Sequence, residues 1–144
     1  MKEINLYNYQ QTSIDKVRES ISNGHKFIYL CAPTGGGKTV MFSYIAKSAL
    51  AKGRKVWILT DRSELLTQGS NTLKRVGLNP SFIKPNTNPN FNNPLQIAMV
   101  ETLKRRVGKY QSELESADIV IIDEAHKNFY EALKPYFKGV VIGA

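Results

Sequence analysis

The sequence feature that most constrains the fold is an alternation of short apolar runs with segments of helical periodicity. Residues 27–32 are apolar and precede Pro-Thr-Gly, which predicts a buried strand. Residues 40–51 carry apolar side chains at helical spacing and are followed by Gly53, which predicts a helix that ends there. The alternation continues, with strands predicted at 56–59, 95–100, 119–122 and 140–142 and helices at 10–21, 64–76 and 124–137.

Strands separated by helices predict βαβ crossovers and a mostly parallel sheet that is covered on both faces. The unbroken apolar run at 119–122 supports this, because a strand buried on both sides need not alternate. A length of 144 residues suits one domain of this α/β class. The segment 84–94 holds five asparagines and three prolines, so we predict a surface loop within that domain, most simply a connection.

The composition excludes some classes of protein and leaves others open. A formal net charge of +8 suits a nucleic-acid partner, but it equally suits a basic domain whose lysines are solvated. The single cysteine excludes an internal disulfide and a cysteine-based zinc site. The start of the chain is too polar for a signal peptide, and no apolar stretch is long enough to span a bilayer, so we expect an intracellular protein without a membrane partner.

The segment 32–39, Ala-Pro-Thr-Gly-Gly-Gly-Lys-Thr, lies between the first predicted strand and its helix. Consecutive glycines let the backbone N–H groups approach phosphate oxygens, and the helix start adds its positive end. Lys38 would reach the β- and γ-phosphates and the Thr39 hydroxyl would bind Mg²⁺. The strict pattern has glycine where Ala32 stands. A glycine-rich turn before an ordinary helix is the alternative, but it does not account for Lys38-Thr39.

The segment 119–126 ends a buried strand in two adjacent carboxylates, Asp123 and Glu124. Ligands of open α/β sheets bind at this carboxyl edge, which the phosphate-loop segment also reaches. If the two strands are close in the sheet, Asp123 can hold Mg²⁺ through water and Glu124 can polarise the attacking water. The alternative is that Asp123 caps the following helix and Glu124 favours its first turn.

These two segments resemble motifs I and II of superfamily 2 helicases, the second in its Asp-Glu-Ala-His form, and alanine at the first position of motif I is common there. The resemblance implies a RecA-like P-loop NTPase domain that uses ATP and Mg²⁺ and has Lys38, Asp123 and Glu124 in catalysis. Thr39 and Asp123 would hold the metal. The residues implied to bind the nucleotide are Gln10, Pro33, Thr34, Gly35, Gly36, Gly37, Lys38 and Thr39.

Weaker motifs follow in the order of that family. Residues 6–10 resemble the segment whose glutamine, here Gln10, reads adenine, although Tyr7 and Asn8 depart from it. Residues 61–68 resemble motif Ia and residues 100–103 the surroundings of motif Ib, which implies nucleic-acid backbone contacts by Arg62, Gln68 and Thr102. The resemblance also implies that His126 couples the ATP site to the nucleic acid.

The resemblance implies the first motor domain of an ATP-dependent helicase or translocase, nearest in character to DNA-repair, recombination and phage UvsW-like enzymes, so that DNA is favoured over RNA. Residues 143–144 fall where motif III would begin. We therefore expect a fragment that lacks the second RecA-like domain, with its arginine finger, and hydrolyses ATP slowly by itself. The alternatives are the motor domain of a restriction or remodelling duplex translocase and a non-motor nucleotide switch. The basic run 104–109 is a phosphate contact or a solvated helix face, and Trp57 is predicted to be core.

Overall fold

The computed structural model describes residues 16, 19, 24, 27–29, 37–61, 63–85, 88–123 and 131–143. Their elements are, in chain order, β1 (Phe27–Tyr29), α1 (Gly37–Ala51), β2 (Val56–Thr60), α2 (Ser63–Arg75), β3 (Ser81–Ile83), β4 (Leu95–Met99), α3 (Val100–Glu115), β5 (Ile119–Ile122), a 3₁₀ helix (Glu131–Tyr136) and β6 (Val140–Gly143). The predicted strands at 56–59, 95–100, 119–122 and 140–142 are confirmed to within one residue at each end.

The six strands form one sheet in the order β1-β6-β5-β2-β4-β3, and all five pairs of neighbours are parallel. The predicted parallel sheet is therefore confirmed. The central strands β2 and β5 are buried along their whole length, as their continuous apolar sequences require.

Helices cover both faces of this sheet. On one face, α1 packs Met41, Phe42 and Ile45 against the side chains of β2 and β5 that point to it, such as Ile58 and Ile121. On the opposite face, side chains of α3 such as Leu103 and Leu114 pack with Trp57, Leu59, Val120 and Ile122. Successive residues of a strand thus enter opposite cores, and the predicted three layers are confirmed.

Helix α1 ends where its sequence predicts. Gly53 has a φ of +77°, a left-handed conformation that side chains disfavour. Its N–H donates to the Leu50 carbonyl at 3.0 Å, and the Arg54 N–H donates to the Ala49 carbonyl at 3.1 Å. These bonds satisfy carbonyls that the helix end would leave unpaired, and they turn the chain into β2.

Two helix predictions need correction or lie outside the described residues, and one helix was not predicted. The helix predicted at 124–137 is wrong over Glu131–Tyr136, which forms a 3₁₀ helix with Pro135 inside it, because proline disrupts α-helical hydrogen bonding. Residues 124–130 lie outside the described part of the chain. So does the helix predicted at 10–21, apart from the helical Lys16 and Glu19. Helix α3 was not predicted, and residue 100 begins it rather than ending β4.

The Asn/Pro-rich segment has no helix or strand in its described residues, 84–85 and 88–94. It also contributes to the core. Phe91 stacks on Trp57 with ring centroids 6.0 Å apart and meets Tyr110 edge-on at 5.0 Å. Trp57 is 2% exposed, so its prediction as a core residue is confirmed.

Candidate functional site

The carboxyl ends of the strands lie level with one another at one edge of the sheet. Tyr29 of β1 pairs with Gly143 of β6, which pairs with Ile122 of β5, and Ile122 pairs with Leu59 of β2. Because every pair is parallel, the segments that leave β1, β2, β4 and β5 all depart from this edge. We refer to it as the carboxyl edge and to the opposite side of the sheet as the amino edge.

Helix α1 is the element that follows β1, and its first turn is suited to anions. Gly37, Lys38 and Thr39 are its first three residues. The N–H groups of a first turn have no acceptor within the helix, and the helix dipole makes this end positive. No acidic side chain lies in the turn to oppose that charge. A phosphate group placed there would meet unpaired donors and a favourable field.

Asp123 is a buried acidic residue at this edge. It directly follows β5, is 6% exposed, and its N–H donates to the Leu59 carbonyl at 2.9 Å. The alternation along β5 sends Ile119 and Ile121 into the core beneath α1, and continuing it by one residue places Asp123 on that face too. A buried carboxylate requires partners or a cation. Asp123 and the first turn of α1 therefore share one edge and one face.

The order of the strands determines how far apart the ends of β1 and β5 lie. Strand β6 lies between β1 and β5, so these two strands are second neighbours, roughly 10 Å apart. The end of β1, which leads towards α1, and the end of β5, which leads to Asp123, are therefore separated by about 10 Å. A hydrated metal ion with a phosphate could occupy such a span, since Mg²⁺ keeps several waters and uses one or two carboxylates. Oxygen donors at Asp123 and Thr39 suit that ion.

Thr60 is a further buried polar residue of this edge, which sequence reasoning missed. It ends β2, is fully buried, and follows Leu59 as Asp123 follows the paired Ile122. By the same alternation it faces α1. The sequence signal was a single polar residue that ends an otherwise apolar strand.

The segments resembling motifs Ia and Ib leave the same edge side by side. They follow β2 and β4, which are neighbours in the sheet with Thr60 paired to Met99. Gln68 lies in the second turn of α2, and Thr102 lies in the first turn of α3 with only 5% of its surface exposed. The structure thus places the backbones of these two candidates beside the half of the edge that holds Asp123.

Other candidates from the sequence lie outside the described residues, namely Gln10, Pro33, Thr34, Gly35, Gly36, Arg62, Glu124 and His126. Within the described ranges, no group of three or more histidine, cysteine, aspartate or glutamate side chains could hold a metal ion. In the same part of the chain, no helix has the length and apolar character needed to cross a membrane.

Comparisons with a family model, with the sequences of known proteins and with solved structures give consistent results. The sequence model of the family described as "Type III restriction enzyme, res subunit" matches residues 3–142. The protein IRC3 of Saccharomyces cerevisiae, whose name describes an ATP-dependent helicase, is 35% identical over 92% of this chain. The match covers 21% of IRC3, so the chain spans about a fifth of that relative.

Two solved structures share the fold. The type ISP restriction-modification enzyme LlaGI, solved with a DNA substrate mimic, superposes with a TM-score of 0.75 at 18% identity, over 98% of this chain and 17% of its own. The helicase domain of Hef from Pyrococcus furiosus superposes with a TM-score of 0.69 at 21% identity, over 94% of this chain and 31% of its own. At these identities the likeness concerns the fold alone, and it confirms the predicted RecA-like fold.

Proposed function

Because the chain belongs to the family of type III restriction enzyme res subunits, within the helicase and translocase motor domains of superfamily 2, we propose that it is the ATP-binding first motor domain of an ATP-driven enzyme that acts on nucleic acid. One observation carries the proposal. The buried carboxylate of Asp123 lies at the carboxyl edge, on the face of the sheet where α1 begins with Gly37, Lys38 and Thr39.

The proposed nucleotide site uses groups of known chemistry in this placement. The first turn of α1 and the glycines before it receive the phosphates, while the Lys38 ammonium neutralises the β- and γ-phosphates. Thr39 and Asp123 hold Mg²⁺, which when bound offsets the charge that develops during phosphoryl transfer. Glu124 polarises the attacking water and Gln10 reads the adenine, both as the family resemblance implies.

The proposed nucleic-acid contacts lie along the other half of the carboxyl edge. Arg62, Gln68 and Thr102 belong to segments that follow β2 and β4, next to the strand that ends at Asp123. Contacts to phosphates rather than bases suit a motor, since it must move along any sequence. His126 would relay changes between the two halves. We propose DNA rather than RNA, on the resemblance to DNA-repair helicases.

A second RecA-like domain in the full-length protein would complete this site. The relatives extend far beyond the matched region, since the match covers only 21% of IRC3 and 17% of LlaGI. In this family the second domain closes over ATP and supplies an arginine to the transition state. The 144-residue chain alone would then bind nucleotide weakly and hydrolyse it slowly.

The decisive experiment measures ATP hydrolysis by the full-length protein with single-stranded DNA, duplex DNA, forked DNA and RNA. We expect Lys38→Ala to lower the stimulated kcat by about 100-fold or more and to leave DNA affinity within about threefold, because Lys38 acts on phosphates of ATP alone. Lys47→Ala is the matched control, since this exposed lysine lies on the same helix away from the edge. Unchanged hydrolysis in Lys38→Ala would refute the proposed site.

The duplex translocase is the second candidate, because the family description names a restriction enzyme. Strand displacement from a forked substrate indicates a helicase. Displacement of a third strand from a triplex, without separation of the duplex, indicates a translocase. If no nucleic acid stimulates ATP hydrolysis, the non-motor switch is the better description.

A further inference from the structure

Charge is distributed unevenly along α1 and α2. Between residues 20 and 100 the only carboxylate side chains are those of Asp61 and Glu64, which lie where the chain leaves β2 for α2, at the carboxyl edge. The opposite ends of the two helices, at the amino edge, carry four exposed basic residues, Lys52, Arg54, Lys74 and Arg75. We refer to these four residues as the basic surface.

The two helix ends that form the basic surface are neighbours. Helices α1 and α2 pack together on one face of the sheet, where Ala49 and Leu73 belong to the same buried cluster. Both helices run from the carboxyl edge to the amino edge, and packed helices lie roughly 8–10 Å apart. Glu64 is remote from this place, because the 13 residues of α2 span about 20 Å. The four positive charges are therefore close together and far from the carboxylate of their own helices.

The side chains of the basic surface are not needed to cap the helices. The backbone at Gly77 is left-handed, with a φ of +89°, as it is at Gly53. The Leu78 N–H donates to the Leu73 carbonyl at 2.9 Å, so α2 ends with the same backbone bond as α1. Within the residues that the structure describes, none of the four side chains forms an ion pair. Since like charges at this spacing repel one another, a bound anionic group would be stabilised by all of them.

The basic surface suits an acidic peptide segment better than a single strand of nucleic acid. Proteins bind single strands by combining basic groups with aromatic side chains on which the bases stack. Residues 49–55 and 71–80, which form the two helix ends, include no aromatic residue. An extended peptide advances roughly 3.3 Å per residue, so about three or four residues would reach from one helix end to the other. Lysine and arginine side chains form strong hydrogen bonds with carboxylates.

We propose that the basic surface binds an acidic segment of a protein partner, in which several aspartate or glutamate side chains lie close together in an extended chain. The contact is electrostatic and exposed, so its affinity falls as the salt concentration rises. This surface lies at the amino edge, and its assignment does not depend on the proposed function of the carboxyl edge.

Fluorescence anisotropy of a labelled peptide of about eight glutamates tests the proposal on this chain at low ionic strength. We expect saturable binding, and we expect the double variant Arg54→Glu, Lys74→Glu to weaken it by about tenfold or more. The matched control is Arg105→Glu, Lys109→Glu, which makes the same change of charge at exposed residues of α3 on the opposite face. It should weaken binding by less than about threefold. Equal losses in the two double variants, or no saturable binding, would overturn the proposal.

A labelled oligothymidylate with the same number of charges distinguishes an acidic protein segment from nucleic acid. We expect its affinity to fall no more in Arg54→Glu, Lys74→Glu than in the control. A larger fall in the first variant would show that the surface takes nucleic acid and would contradict the proposal.

Urea denaturation shows whether the first double variant folds. If it does not, the backbone amide shifts of the unmodified chain decide. Addition of the glutamate peptide should then shift the amides of residues 52–54 and 74–77, and shifts confined to other residues would refute the proposal.

Discussion

The two edges of the sheet are formed by the same six strands, but they carry different polar groups. At the amino edge the chain pairs its own polar groups. The Lys55 N–H donates to Asp118 Oδ2 at 2.8 Å, the Asp118 N–H donates to the Lys55 carbonyl at 2.9 Å, and the Val140 N–H donates to the Asp118 carbonyl at 2.9 Å. This edge therefore holds neighbouring strands together.

At the carboxyl edge, two polar side chains lie at the ends of neighbouring strands. Asp123 and Thr60 are buried there at neighbouring strand ends, and α1 presents the N–H groups of its first turn. If the proposed function is correct, this parallel sheet joins its strands through polar contacts at one edge and carries its chemistry at the other. The predictions that follow set matched residues of the two edges against each other.

The largest contrast is expected between the two aspartates that flank β5. Asp123→Asn in the full-length protein should lower nucleic-acid-stimulated kcat for ATP hydrolysis by about 1,000-fold, because the neutral amide binds Mg²⁺ poorly. Asp118→Asn keeps an oxygen that can accept from the Lys55 N–H, so its kcat should change by less than about twofold. Steady-state hydrolysis assays compare them. Equal losses in both variants would remove the functional distinction between the edges.

Gly139 tests how tightly the amino edge is packed. A Cβ atom at this position would lie 2.3 Å from the Asp118 carbonyl oxygen and 2.5 Å from that of Ala117. Gly139→Ala should therefore lower the free energy of unfolding by about 3 kcal/mol. Urea denaturation measures it.

The control is Gly108→Ala, since a Cβ atom there meets nothing within 4 Å and the residue lies inside α3. It should raise the free energy of unfolding by about 0.5–1 kcal/mol, because alanine loses less entropy than glycine in a helix. A Gly139→Ala variant as stable as the unmodified chain would contradict the packing described here.

The aromatic contact beneath the loop should have a smaller effect. Phe91→Ala removes the ring that stacks on Trp57 and meets Tyr110, and it should lower the free energy of unfolding by about 2 kcal/mol. Phe91→Leu, the control, should lose less than about 1 kcal/mol. Trp57 is the single tryptophan of the chain, so its fluorescence should shift to longer wavelength in Phe91→Ala alone. Unchanged emission and stability would mean that the loop does not cover Trp57.

The smallest effect concerns charge. Arg105 is exposed in α3 and belongs to the basic run 104–109, which is either a phosphate contact or a solvated helix face. Arg54 is exposed at the amino edge. If α3 follows the nucleic acid, Arg105→Ala in the full-length protein should reduce the salt dependence of DNA binding by about one in log–log slope, and Arg54→Ala should not. Fluorescence anisotropy at several salt concentrations measures the slope. Equal slopes in both variants would favour the solvated surface.

Much of the fold could be predicted because apolar runs and helix ends are local signals. Strand β5 and the end of α1 at Gly53 follow from neighbouring residues alone. Helix α3 was missed although Leu103, Tyr110 and Leu114 recur at helical spacing, because its basic residues dominate the segment. The three residues of β3 are too few to show a period, and the position of β6 between β1 and β5 depends on contacts between distant segments.

The candidate site could be predicted by residue type but not by arrangement. The glycine-rich segment and Asp123 carry their chemistry in the sequence. Whether their strands are adjacent depends on the order of the sheet, and they are second neighbours. Thr60 was missed because a single threonine at the end of an apolar strand is typical of many strands, and only its burial sets it apart.

The most direct test of the difference between the edges is a nuclear magnetic resonance titration of this chain with a non-hydrolysable ATP analogue and Mg²⁺. Weak binding suffices for such a titration. We predict that shift changes concentrate in the backbone amides of residues 34–39 and of Asp123, and that the amides of Lys55 and Gln96 at the amino edge stay unchanged. Changes centred on the amino edge, or none at millimolar analogue, would contradict the assignment of nucleotide binding to the carboxyl edge.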